Sequence, residues 1–271
     1  MNHATPVEIA LMILLVGPIL ICIYNASRGQ PIFIRRISGI DAIDEAVGRA
    51  VELGRPMSFT SGLTGVGPLL FSCLGVLKYI GRKAARFNSK ILVPSNDPEA
   101  LALTDATLQN AYRAENRLSN YDPTSVRFLS SDQFAFASGY MGLIQRENVA
   151  SAFLFGSYAA ESLILAEAGH QIGAVQIAAT VSPEQIPFFI ASCDYTLIGE
   201  ELYAAGAFLS EDTVQRGSLR GQDVSKLLLF LLMFVGTTIA TISSFRSNEI
   251  KQGQSLELSK LFSMKWGEVL K

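Results

Sequence analysis

The residues of the chain best suited to hold a ligand form a glycine-rich segment, residues 61–67, that reads SGLTGVG. An apolar run precedes this glycine segment, and Pro68, a residue favoured in the first turn of a helix, follows it. Backbone amides at the start of a helix point toward bound anions, and the helix dipole adds to the attraction. The chemistry on offer is therefore the binding of a phosphate or a similar anion. The candidate ligand-binding residues of the segment are Ser61, Gly62, Thr64, Gly65 and Gly67.

The spacing of these glycines departs from both common phosphate-binding motifs. The glycines read GxxGxG, the reverse of the dinucleotide fingerprint. Gly62 and Gly67 have the spacing of a P-loop, but Pro68 and Leu69 stand where that loop requires Lys and Ser or Thr. Pro94 ends the second predicted strand, where an acidic residue would bind a ribose. These departures favour a glycine-rich turn packed against neighbouring backbone, and they predict that Gly62→Ala and Gly65→Ala disturb folding or assembly.

A few further polar residues lie where chemistry is conceivable. Ser157 follows the fourth predicted strand, and Glu161 comes one turn later in an apolar helix, so both join the candidate ligand-binding residues. Asp194 and Glu201 are seven apart, which would place their carboxylates on one helical face for acid–base work. Helix capping and ion pairing explain these acids better. With only two histidines in the chain, no catalytic residue is assigned and an enzyme is not favoured.

The composition excludes several classes of protein. Charged residues make up 17% of the chain, against about 25% in a typical soluble domain. The formal net charge of -2 provides no basic surface for nucleic acid. Three isolated cysteines and two histidines do not predict a disulfide framework, a metal site or a cofactor. The composition indicates a membrane protein or an unusually large core.

Two segments are apolar enough to lie in a bilayer. Residues 9–24 are 16 uncharged residues, and the helix extends back to Pro6, near the lower limit of about 17 for a span. A cleaved signal peptide is the alternative, but residues 1–8 contain no Lys or Arg and no small-x-small cleavage site follows Tyr24. Residues 227–245 are 19 uncharged residues, a length that matches the hydrocarbon core. We therefore predict transmembrane helices at 6–24 and 227–245.

Basic residues beside the two segments predict the topology. The nearest are Arg28, Arg35 and Arg36 after the first segment and Arg216, Arg220 and Lys226 before the second. Because basic flanks stay inside, residues 25–226 should form a cytoplasmic domain, with both termini outside a prokaryotic inner membrane. The remaining residues, 246–271, mix apolar side chains with lysines and glutamates, and they predict an amphipathic tail that lies on the bilayer or on a partner.

The central domain alternates short apolar runs with helical patterns. Strands are predicted at 57–60, 90–93, 125–129, 151–155 and 174–179. Such alternation predicts an α/β fold, a Rossmann-like doubly wound parallel sheet of about five strands, for which 3-2-1-4-5 is a common order. Ligands of such sheets bind beyond the carboxyl ends of the strands.

Residues 186–209 are predicted to form one long, nearly uncharged helix. Its apolar residues cover more than one face, so a single sheet cannot bury them all, and an exposed apolar patch marks an interface. The predicted oligomer-interface residues are Phe188, Phe189, Tyr195 and Tyr203, together with Gly236 in the second span. They predict a homo-oligomer, or a complex with other membrane subunits.

Four stretches carry a family resemblance. They are RRISGIDAIDEAVGRAVELGRP from Arg35, ESLILAEAGHQIGAVQIAAT from Glu161, FFIASCDYTLIGEELYAAGAFLS from Phe188 and GSLRGQDVSKLLL from Gly217. The chain resembles, over roughly residues 30–240, an uncharacterised family of bacterial and archaeal membrane proteins known as a domain of unknown function. The resemblance implies a Rossmann-like domain between two transmembrane helices. It implies no activity, and no functional residue is carried over.

Two functions remain open on these grounds. The favoured one is a membrane-anchored, non-enzymatic subunit that oligomerises or scaffolds a larger membrane complex. The alternative is a membrane-anchored enzyme that binds a small ligand or nucleotide through the glycine segment. A transporter or channel is disfavoured, because two spans without charges do not form an ion path.

Overall fold

The computed structural model describes residues 6–28, 38–210 and 213–269 of the chain, with side chains at 10–28, 39–210 and 213–242. The strands are β1 Met57–Gly62, β2 Ile91–Ser95, β3 Val126–Phe128, β4 Ser151–Ser157, β5 Val175–Thr180 and β6 Tyr195–Ile198. The helices are α1 Pro6–Ser27, α2 Ser38–Leu53, α3 Pro68–Phe87, α4 Pro98–Ala114, α5 Gln133–Glu147, α6 Ser162–Gln171, α7 Ile186–Ser192, α8 Glu200–Ser210 and α9 Thr213–Val269.

The sheet has six parallel strands in the order β3-β2-β1-β4-β5-β6. This order is that of the doubly wound dinucleotide-binding folds, and it confirms the predicted Rossmann-like α/β class with one strand more than expected. The chain moves outward from β1 to β3 and then returns to the other side of β1 as β4. The switch point therefore lies between β1 and β4.

The inner strands are apolar on both faces because helices cover both sides of the sheet. In β4, Phe153 and Phe155 enter a core formed with α2, α3, α4 and α8, whereas Leu154 enters a second core formed with α5, α6 and α7. Successive side chains of a strand point to opposite faces, so a strand buried on both faces reads as a continuous apolar run. This is why the sequence pattern located β1, β2, β4 and β5.

The predicted long helix over residues 186–209 is wrong, because this stretch forms α7, β6 and α8. Asp194 holds the chain against β5: its carboxylate accepts a hydrogen bond from the Gln176 amide at 2.8 Å, and its own amide donates to the Gln176 carbonyl at 3.1 Å. Residues 195–198 then pair with β5, and Gly199, at φ +57°, ends the strand. Asp194 and Glu201 therefore do not share a helical face, and the Glu201 carboxylate instead accepts from the Ile198 amide at 3.0 Å.

Both predicted apolar helices are present. Residues 10–27 of α1 and 213–242 of α9 contain stretches long and apolar enough to cross a membrane, and little of either is covered by protein. The predicted tail continues α9 without a break as far as Val269, while residues 270–271 and the tail side chains lie outside the described part.

The first part of α9 lies along the domain. Arg216 donates to the carbonyls of Ala207 and Phe208 in α8, at 3.3 and 2.8 Å. Ten residues further along, Lys226 forms an ion pair with Glu200, at the start of α8. Because α8 begins directly after β6, α9 leaves the domain at the carboxyl edge of the sheet.

Candidate functional site

The switch point brings together several of the predicted ligand-binding residues. The carboxyl ends of β1 and β4 are adjacent, and Gly62 is paired with Ser157 in the sheet register. The glycine segment after β1 therefore faces the turn that follows β4. In a doubly wound sheet this crevice is where a ligand normally binds.

In this protein, hydrogen bonds between the two loops close the crevice. The Thr64 hydroxyl accepts a hydrogen bond from the Ser157 amide at 2.7 Å and donates to the Ser61 carbonyl at 2.5 Å. The Leu63 amide donates to the Ser157 carbonyl at 3.0 Å, and the Thr64 amide donates to the Ser61 carbonyl at 3.2 Å. The Gly62 amide donates to a threonine side chain of β1 at 3.2 Å. The amides of Gly62, Leu63, Thr64 and Ser157 are thus bonded within the protein.

Two glycines allow the loops to approach this closely. Gly62 has φ +60°, and a side chain there would lie 2.5 Å from the Tyr158 ring and 2.6 Å from the Ser157 carbonyl oxygen. Gly156 has φ +154°, and a side chain there would overlap the Ser61 carbonyl and the Thr64 hydroxyl. Both values of φ lie in regions that side-chain-bearing residues rarely adopt. Gly156, which no sequence motif marks, is thus as important to the crevice as the glycine segment.

Tyr158 fills the space below the glycine segment. Its hydroxyl donates to the carbonyl of Thr60 at 3.1 Å, and its ring packs edge-on against Phe189, with 5.1 Å between ring centroids. Burial raises the pKa of the Tyr158 phenol well above its ordinary value, so the hydroxyl remains a donor at any physiological pH. The side chain therefore keeps its hydrogen bond to β1 beside the glycine segment.

Gly65 and Gly67 differ from the other predicted site residues. No atom lies within 4 Å of the position that a side chain at either glycine would occupy. Gly67 precedes α3 with an extended backbone, φ 177°. This outer part of the segment is open, in contrast to Ser61, Gly62 and Thr64.

Glu161 is buried and serves the turn before α6. Both carboxylate oxygens accept from the Ala159 amide, at 3.0 and 3.1 Å, and the Gln133 side chain donates to one of them at 2.6 Å. The next residue, Ser162, donates from its hydroxyl to the Gln185 side chain at 2.6 Å. These bonds join the starts of α5, α6 and α7, and they account for a buried carboxylate without a ligand. Sequence reasoning missed the two glutamines, because no motif marks a partner so far along the chain.

The predicted interface residues are scattered. Phe188 is 44% exposed and Tyr195 39% exposed, whereas Phe189 is fully buried and unavailable to an interface. Tyr203 lines a cleft, and Gly236 has open space around it on α9. The premise of a shared helical face does not hold, because α7, β6 and α8 separate these residues.

The cleft at Tyr203 lies between the α1–α9 pair and the α3–α8 pair, with a volume of about 590 Å3. Its walls combine apolar side chains such as Ile23 and Phe71 with polar ones such as Ser72 and Asp223. In the described part of the chain, no three His, Cys, Asp or Glu side chains gather where a metal ion would bind.

Comparison with known proteins places the chain beside one family. A family model described as Domain of unknown function (DUF6754) matches residues 2–251. No curated protein and no solved structure matches the chain. The matched region includes the α/β domain and both apolar helices.

Proposed function

Since the chain belongs to the DUF6754 family, as its resemblance to an uncharacterised membrane-protein family led us to expect, we propose that it is a membrane-anchored, non-enzymatic subunit that oligomerises or scaffolds a larger membrane complex. The observation that carries this proposal is the closed switch-point crevice. The Ser157 amide donates to the Thr64 hydroxyl and the Leu63 amide donates to the Ser157 carbonyl, while the Tyr158 hydroxyl donates to β1.

One observation keeps the alternative function in view. The strand order is that of dinucleotide-binding proteins, and the glycine segment is open at Gly65 and Gly67, next to the start of α3. An enzyme that binds a small anion there would use only this outer part of the segment. Such an enzyme would also require acid–base groups. None is found among the described contacts of the glycine segment.

The test of the proposed function combines mass and ligand binding. In mild detergent we expect particles heavier than one 29.3 kDa chain, formed by several copies or by co-purified subunits. We also expect no micromolar binding of ATP, GTP or NAD by calorimetry, because the amides of Gly62, Leu63, Thr64 and Ser157 are already bonded within the protein. A bare monomer would contradict the proposal. Micromolar binding that Gly67→Val removes while the fold persists would favour the alternative.

The bilayer is the first partner of the proposed subunit. The apolar stretch at 227–245, hereafter the α9 span, begins directly after Lys226, and Arg216 and Arg220 precede it. These basic residues support a cytoplasmic position for the central domain in a prokaryotic cell membrane. A second crossing by α1, predicted from residues 6–24, would place both termini outside.

The position of the central domain can be tested by cysteine labelling. Asn120 is exposed in a short turn after α4, so Asn120→Cys provides a reactive thiol on the domain. An impermeant maleimide added to intact cells should leave this variant unlabelled and should label it after permeabilisation. The wild-type chain controls for the native cysteines. Labelling in intact cells would place the domain outside and contradict the proposal.

A further inference from the structure

The cleft of about 590 Å3 at Tyr203, hereafter the α8–α9 cleft, runs along the facing sides of α8 and α9. The two helices are joined near both ends of the cleft, by the bonds of Arg216 to carbonyls of α8 and by the ion pair of Lys226 with Glu200. Between these contacts the cleft follows α9 from Val214 to Lys226, a distance of about 18 Å at 1.5 Å per residue. Its volume lies within the range of about 300–1,000 Å3 that is usual for small-molecule sites.

The side of α9 that lines the cleft is largely polar. Ser218, Gln222 and Lys226 follow one another at intervals of four residues, so they lie on one side of the helix. The Gln222 amide donates to the Ser218 hydroxyl at 3.3 Å, which leaves the Gln222 carbonyl oxygen for a ligand. A helix that packs closely on its neighbour presents apolar side chains there. The polar side chains therefore indicate contact with a polar group of a bound molecule.

Two further polar groups of the cleft have no partner in the described part of the chain. Tyr203 of α8 is half-buried, and its hydroxyl makes no hydrogen bond with a described residue. The carboxylate of Asp223 forms no ion pair with a described residue. A ligand in the cleft can therefore bond to the hydroxyl as donor or acceptor and to the carboxylate as donor.

The charges of the cleft favour a cation over an anion. Glu200 and Lys226 neutralise each other, which leaves the carboxylate of Asp223 as the unbalanced charge among the lining residues. An anionic group in the cleft would be repelled by this carboxylate, whereas an ammonium group would be attracted to it. The polar part of the ligand should therefore carry an amine.

The other walls of the cleft are apolar. They are formed by Ile23 of α1, Pro68 and Phe71 of α3, and Leu219 of α9. Phe71 is 50% exposed to solvent, so a hydrocarbon chain that covered it would remove apolar surface from water. A molecule with both an amine and a hydrocarbon chain would match the two kinds of wall.

We propose that the α8–α9 cleft binds an amphiphile with an amine-bearing head and a hydrocarbon chain. The α9 span begins directly after Lys226, the last residue of α9 that lines the cleft. One end of the cleft therefore lies where the proposed membrane span starts, so a bilayer lipid can reach it. A free alkylamine has the same chemistry. The inference adds a ligand site to the proposed subunit, and it holds whether or not the chain oligomerises.

Native mass spectrometry of the full chain in mild detergent tests this site. The probes are phosphatidylethanolamine, a bilayer lipid with an ammonium group, and dodecylamine, a free amphiphile. Ser218→Trp places an indole in the cleft, whereas Ser138→Trp, the matched control, changes an exposed serine of α5 on the opposite face of the sheet. We expect wild type and Ser138→Trp to bind alike and Ser218→Trp to bind about tenfold less, because the indole fills the site. Lipid that adheres to the outside of α1 or of the α9 span should be equal in all three chains.

Asp223→Asn, which keeps the size of the side chain and removes its charge, tests the choice of head group. Wild type should prefer phosphatidylethanolamine to the anionic phosphatidylglycerol about fivefold, and the variant should bind the two lipids alike. This comparison also decides if Ser218→Trp fails to fold, which circular dichroism would reveal. A preference that Asp223→Asn leaves unchanged would overturn the proposal.

The two probes identify the source of the ligand. Binding of phosphatidylethanolamine at the cleft supports a bilayer lipid, and binding of dodecylamine alone supports a free amphiphile. Binding of neither probe overturns the site. Equal binding by Ser218→Trp and Ser138→Trp also overturns it, as would be found if a peptide or a second chain filled the cleft.

Discussion

Replacement of Gly156 by alanine is expected to cost the domain about 4 kcal/mol of unfolding free energy, a large share of the roughly 5–15 kcal/mol of a domain of ordinary stability. The backbone at this residue has φ +154°, which alanine rarely adopts. The new methyl group would also overlap the Ser61 carbonyl and the Thr64 hydroxyl. Because the carbonyl belongs to the backbone of β1, the overlap cannot be relieved by a side-chain rotation. The chain in mild detergent, titrated with urea and followed by circular dichroism, measures the loss.

Gly65→Ala and Gly67→Ala are the matched controls for Gly156→Ala. No atom lies within 4 Å of a side chain at either position, so each change should alter the unfolding free energy by less than about 1 kcal/mol. The sequence argument expects both Gly62→Ala and Gly65→Ala to disturb folding or assembly, whereas the structure separates the two positions. A Gly156→Ala variant as stable as these controls would mean that the two loops do not close on each other.

The second large effect is expected at Phe189, whose change to alanine should cost about 3–5 kcal/mol. The side chain is fully buried and packs edge-on against Tyr158, so its removal leaves a cavity beneath the switch point. Its neighbour Phe188 is 44% exposed. We expect Phe188→Ala to change the unfolding free energy by less than about 1 kcal/mol.

Comparison of Phe188→Ala with Phe189→Ala also shows whether Phe189 belongs to the core of the protomer or to an oligomer interface. If Phe189 lay at an oligomer interface, Phe189→Ala would lower the native mass in detergent and leave the unfolding of the protomer unchanged. Equal and small losses of stability for both variants would contradict the packing of α7 on α6. Thermal unfolding of the two variants, measured side by side with wild type, decides between these outcomes.

The sequence predicts best those parts of the fold that are stabilised by residues close to one another in the chain. Asp97 caps α4 through the Glu99 amide, a role that a residue directly before the helix-starting Pro98 is placed to fill. The buried strands were located by their continuous apolar runs. In contrast, β6 has four residues, and Asp194 makes the contacts that start it only after β5 is in place. Without β5 beside it, the sequence of residues 186–209 therefore shows only the pattern of a helix.

In the candidate site, too, the sequence indicates the features that depend on neighbouring residues and misses those that depend on distant ones. The broken P-loop pattern at Pro68 correctly indicated a packed turn at Ser61, Gly62 and Thr64. It could not indicate that Gly156, more than 90 residues away, completes the packing, because that contact exists only once β1 and β4 are adjacent. Glu161 was recognised as unusual from its apolar surroundings, but its partner Gln133 lies on another helix and follows no sequence rule.

Helix α9 runs without a break from its contacts with α8 through the apolar stretch, so in the proposed membrane anchor a rigid helix with no flexible linker would join the domain to the span. In a helix every residue contributes about 100° of rotation and 1.5 Å of advance. In the proposed anchor, the number of residues between Lys226 and the middle of the α9 span would therefore set the rotation of the domain about the membrane normal. It would also set the height of the domain above the bilayer. One residue inserted or deleted between these points, a change that a loop tolerates, would rotate the domain by more than a quarter of a turn. A different side of the domain would then face the other subunits of the proposed complex.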